Sequence, residues 1–174
     1  MAFWAFVAAR HPHALPFGPV AVSVVFAILA MPASILGNEA ALRFGRHRAL
    51  NVLMVASAAV ALAIAVSVQV SPLLLLALLM LYGLTVPSDS GALTSGMAMS
   101  AEASHRGATM AMHSTVGFGL SAVGAWAAGA VLDLAGGPQS ASGWSAVFAL
   151  LAAAILLGPL ALWWSRRELK SPDL

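Results

Sequence analysis

Five long apolar stretches, separated by short polar or turn-forming runs, organise this sequence. They cover residues 14–36, 49–70, 72–101, 107–132 and 143–164. Each meets or exceeds the ~20 residues that a helix needs to cross a ~30 Å hydrocarbon layer. Backbone amides find no water partner there, so each crossing should be helical. The alternating strands of a membrane barrel are absent. The pattern predicts one all-α domain over residues 1–174, a polytopic transmembrane helix bundle with five full spans and a short N-terminal piece. Residues 1–9 are apolar but too short for a span, and they lack the basic start of a signal peptide. With Arg10, His11, Pro12 and His13 behind them, they read as the tail of a truncated helix. The alternative is an interfacial terminus, and Phe3 and Trp4 suit the membrane interface in either case.

The spans differ in texture. The first opens with Pro16, Gly18 and Pro19, which a helix start tolerates, and Pro32 is expected to bend or end it. A short basic loop, residues 37–48, should follow. The second is rich in Val and Ala, without charge, and reads as a lipid-facing support helix. The third is nearly all leucine to Leu81. It then meets Gly83, Pro87, Asp89 and Gly91, where Pro87 invites a kink. The fourth carries Gly117, Ser121, Ala125 and Gly129 at successive four-residue steps, a small-residue stripe that suits close helix packing. The fifth ends in Trp163 and Trp164 before Arg166 and Arg167, an interfacial anchor.

Composition strengthens the membrane reading. Hydrophobic residues make up 61% of the chain and charged residues 8%, against about 25% charged in soluble domains. Charge then orients it. If every stretch crosses, one face receives Arg43, Arg46, Arg48, Arg106, Arg166, Arg167 and Lys170, and the other only Arg10. Basic residues resist translocation, so the rich face and the C-terminus should be cytoplasmic, in the inner membrane. The pI near 9.9 does not point to nucleic acid, because the basic residues are juxtamembrane and lack an aromatic-rich patch. The chain has no cysteine, so thiol chemistry is excluded. No cofactor or metal is expected, since His11 and His13 have no acidic residues close by.

The sequence Arg43-Phe44-Gly45-Arg46-His47-Arg48 resembles the signature loop of the major facilitator superfamily, roughly G-x-x-x-D-R-x-G-R-[RK]. That signature recurs in weaker form between spans eight and nine of the family. Leu42 stands where the family has Asp, and Gly37 lies one residue earlier than the family glycine. The downstream layout is similar too: a Gly- and Pro-broken span, Arg106-Gly107, a glycine-striped span, and a last span ending in basic residues. The resemblance implies that residues 1–9 end span seven and that spans eight to twelve follow. It also implies two six-helix halves around a central cavity that alternate between inward- and outward-open states, with spans seven, eight, ten and eleven bordering the cavity. The missing N-terminal half would come from upstream sequence, a separate chain or a second copy. The other expected partners are the lipid bilayer and a small-molecule substrate.

Candidate chemistry is sparse. Asp89 is the only formal charge in the third span if that span runs to Ala101. A carboxylate deep in a bilayer costs ~2.5–3.5 kcal/mol on insertion scales, so it must be protonated, paired or facing water. Otherwise the span stops near Pro87 and Asp89 caps a cytoplasmic segment. Ser88, Ser90 and Thr94 offer hydrogen bonds beside it. His113 lies two turns into the fourth span, and it is either a proton relay or a packed histidine. The leading expectation is a secondary active transporter in which Asp89 and His113 face a shared polar cavity and couple a proton to transport. The family resemblance adds a cytoplasmic gate of Glu39, Arg43, Gly45, Arg46, Arg48 and Arg106, with Glu39 and Arg106 as a pair. An intramembrane hydrolase using Ser90 or Ser95 with His113 is disfavoured, since no G-x-S-x-G or H-E-x-x-H run is present. The remaining reading is a small non-catalytic membrane subunit that binds another protein through the Gly117–Gly129 face.

Overall fold

A computed structural model describes residues 2–12 and 17–168, with side chains through Ser165. His13 and Lys170 therefore lie outside the described residues. The described chain forms seven helices: α1 (Ala2–Arg10), α2 (Pro19–Phe44), α3 (Arg46–Ser67), α4 (Pro72–Thr85), α5 (Ser88–Ser100), α6 (Arg106–Leu134) and α7 (Ala141–Glu168). Prolines open α2 and α4, where the first N–H has no partner in any case. With α4 and α5 taken together, five helical segments are long and apolar enough to cross a membrane.

Two features of α2 differ from the sequence expectation. Pro32 sits inside the helix without ending it. The basic loop is helical as far as Phe44, so Glu39 and Arg43 lie on α2 itself. At 1.5 Å per residue α2 is ~39 Å long, and the ~30 Å apolar layer leaves its last turns among polar headgroups. Only Gly45 separates α2 from α3. Its φ of 86° and ψ of 130° lie in a region that side-chain-bearing residues rarely adopt.

The third span breaks as Pro87 foretold. Helix α4 stops at Thr85 and α5 begins at Ser88. Hydroxyls add bonds at the break: Thr85 Oγ1 donates at 3.3 Å to the Tyr82 carbonyl, which also accepts the Val86 N–H, and Ser88 Oγ donates to the Leu84 carbonyl at 2.5 Å.

Helix α3 is more than a lipid-facing support. It buries nine residues, among them Leu50, Met54, Ser57, Ala61 and Ile64, and packs most extensively on α7. Its other face, with Val52, Val55, Leu62 and Val66, is exposed. At the end away from Arg46, α1 inserts Phe3, Trp4, Phe6 and Val7 into the core. Phe3 meets Phe148 edge-on at 4.8 Å and tilts against Trp144 at 5.4 Å. Trp4 is fully buried, and its indole N–H donates to the Phe17 carbonyl at 3.1 Å. These rings act as packing groups rather than as an interfacial terminus.

The close helix contact made by small residues is not the one expected. Ala33, Gly37 and Ala41 of α2 and Ser88, Ala92 and Gly96 of α5 are buried at four-residue steps. A Cβ at Gly37 would overlap the Ser88 carbonyl. Between these helices Ser95 Oγ donates to Asn38 Oδ1 at 2.6 Å. By contrast α6 has no buried residue. Gly117, Ser121, Ala125 and Gly129 are all exposed, and a Cβ at Gly117 or Gly129 would meet open space. Among the described residues none buries the α6 stripe.

Candidate functional site

The weak contact between α5 and α6 opens a trough along the bundle. On α5, Ser90, Thr94 and Met97 follow one another at helical spacing and share one face. On α6, His113, Ser114, Gly117 and Ser121 face them. Ser90, Thr94, His113, Ser114 and Ser121, with Leu93 and Phe118, enclose a cavity of about 350 Å³. A second space of about 650 Å³ also meets His113 and Gly117 and continues past Met112 to Met97 and Thr109. Those two residues border a third, of about 590 Å³, at the basic end beside Arg46, His47 and His105. From Ser121 to His105 the trough runs ~24 Å along α6, most of a hydrocarbon layer.

The trough is mostly apolar, with Met97, Met112, Val116 and Leu120 along its middle, and its hydrogen-bonding groups gather toward Ser121. Its deep part offers hydroxyls, each able to donate and accept, and one imidazole. Thr115 Oγ1 and Ser121 Oγ return hydrogen bonds to carbonyls one turn back, at 2.9 Å each. His113 is half-buried and makes no ion pair among the described residues. Such a lining can hold a small solute by hydrogen bonds, with Phe118 and Leu93 as apolar walls.

Some expected residues come together here and others do not. Ser90, Thr94 and His113 converge. Asp89 is not among the residues that line the cavity with His113, although Leu93, one turn further along α5, is. The helix breaks at Pro87, and Asp89 is half-buried in the first turn of α5, which runs on to Ser100. Ser88 is buried and committed to the Leu84 carbonyl, so it leaves the site. Ser95, a candidate nucleophile, faces α2 through Asn38 and is separated from His113 by the width of α5.

The basic end also departs from expectation. Glu39 pairs with Arg43 one turn on, at 2.7 Å, and not with Arg106. Both are exposed, so the pair contributes only ~0–1 kcal/mol. Glu102 is held by Ser104 Oγ at 2.9 Å and lies 3.5 Å from His105 Nδ1. Arg48 and Arg106 are exposed and form no ion pair among the described residues. Arg46 turns inward, its guanidinium lying on Gly96 of α5 and its Nη2 3.9 Å from the Met99 sulfur.

Ser114, Phe118 and Thr109 were missed as lining residues. Their signal was present: Ser114, Phe118 and Ser121 recur at helical spacing on the same face of α6. In comparison with known proteins, a family model described as Major Facilitator Superfamily matches residues 11–173. No curated protein and no solved structure matches.

Proposed function

The chain belongs to the major facilitator superfamily, a family of multi-pass membrane transporters, and from that premise we propose that it is the C-terminal part of a secondary active transporter that moves a small solute by alternating access. Acting as one helical unit, its 174 residues take the places of the end of span seven to span twelve. The observation that carries this reading is the hydroxyl-lined trough between α5 and α6, open on one side along a helix with no buried residue. In transporters of this architecture the solute path lies near the midplane between repeated helical units. A second unit closing over α6 would complete that path, and the exposed Gly117–Gly129 face suits such an approach. The basic end faces the cytoplasm of the inner membrane, and the C-terminus with it.

Proton coupling is assigned to His113, which lines the trough, and to Asp89, which stands in the first turn of α5. Both titratable groups sit within spans, and neither is locked in an ion pair among the described residues. Thermal stabilisation of the purified protein by a panel of neutral and ionic solutes identifies a ligand. Its stabilisation should vanish in Thr94→Val and survive in Val66→Ala. Uptake of that solute by the assembled transporter should then lose its pH dependence in His113→Gln and in Asp89→Asn. An unchanged pH profile in both variants rejects the coupling role.

A small non-catalytic membrane subunit remains the second reading, because the same exposed face could seat an unrelated membrane protein. It predicts that Thr94→Val changes no solute's stabilisation.

A further inference from the structure

We propose that the cleft at the basic end, where α3, α5, α6 and α7 meet, binds the phosphodiester headgroup of an anionic glycerophospholipid, with Arg46 as its anchor. This goes beyond the transport reading and does not depend on it. The cleft holds about 590 Å³ and has two kinds of wall. Leu50, Leu93, Met97 and Leu162 make it apolar on the side continuous with the membrane-spanning segments. Arg46 and His105 make it polar at the mouth.

Arg46 is the unusual member. Arg43 nearby has its charge answered by Glu39 at 2.7 Å. Arg46 has no carboxylate partner among the described residues, and its Nη2 makes only a weak contact with the Met99 sulfur. Glu102, the acid that borders the cleft, is engaged by Ser104 and His105 instead. The guanidinium lies against α5 at Gly96, where a Cβ would overlap it. A half-buried guanidinium presents a fork of N–H donors that matches phosphate oxygens.

Depth selects the kind of phosphate. Arg46 is the first residue of a 22-residue spanning helix, ~33 Å long, so it sits at headgroup level. Basic pockets between transmembrane helices at that level take anionic lipid heads. A free phosphate would satisfy Arg46 but leave the leucine wall wet, whereas a lipid's glycerol and upper acyl carbons would cover it.

Native mass spectrometry of the full chain, released from bilayers of mixed phosphatidylglycerol and phosphatidylcholine, tests this. The wild type should retain one phosphatidylglycerol with about tenfold preference, the scale of one charge-assisted hydrogen bond. Arg46→Gln should abolish the preference. Gly96→Ala keeps every charge but displaces the guanidinium, and it should abolish the preference too. Leu162→Trp, which fills the apolar wall, should do the same, while Arg43→Gln should keep it. Retention of the preference in Arg46→Gln, or its equal loss in Arg43→Gln, overturns the site in favour of diffuse charge. Displacement of the lipid by millimolar inorganic phosphate overturns the lipid as ligand. Circular dichroism checks that each variant is helical, and Leu162→Trp decides if an Arg46 or Gly96 variant fails to fold.

Discussion

Gly45 shows how one residue can shape a whole segment. Two spanning helices, α2 and α3, meet there with a single non-helical residue between them. The chain can reverse so tightly only because that residue adopts φ 86° with ψ 130°, a combination open to glycine and strained for other residues. Gly45→Ala should therefore cost ~1–3 kcal/mol and lower the thermal unfolding midpoint in detergent. An unchanged midpoint would mean that the turn is not under conformational constraint. This residue was legible in the sequence, because a glycine in a short basic run between apolar stretches marks a turn. Ser88 was not. Its hydroxyl looked available beside Asp89, and only the geometry of the α4–α5 break explains why it is spent on the Leu84 carbonyl.

At the scale of elements, hydropathy located all five spanning segments but misjudged what holds them together. Two stripes of small residues were present besides the one on α6, and spacing alone cannot say which stripe meets a partner. The stripes that do are Ala33-Gly37-Ala41 and Ser88-Ala92-Gly96, which bring α2 against α5 and let Ser95 reach Asn38. Interhelical hydrogen bonds in membranes contribute ~0.6 kcal/mol on average and up to ~1.7. A double-mutant cycle of Asn38→Ala and Ser95→Ala should return a coupling energy in that range. A coupling of zero would show that backbone proximity alone joins the helices. The ends of α2 were misread for another physical reason. Glu39 and Arg43 look like loop residues to a hydropathy scan, yet a helix longer than the apolar layer carries polar residues on its last turns.

At the scale of the molecule, charge and apolar pattern together made the membrane architecture readable, and the residues around Gly45 made the family readable. The trough was only partly so. Ser90, Thr94 and His113 could be named, but whether Asp89 lines the cavity with them depends on how α5 is seated against α2 and α3. The central claim is that water, and with it a solute, reaches the α5–α6 trough while the opposite side of the bundle faces lipid. The chain's lack of cysteine makes this directly measurable, because thiols react as solvated thiolates. Thr94→Cys, His113→Cys and Ser121→Cys, each alone, should be labelled by a membrane-impermeant maleimide in reconstituted bilayers. Val66→Cys, 80% exposed on the outer face of α3, should resist it. Trough thiols as inert as the one at Val66→Cys would contradict the account.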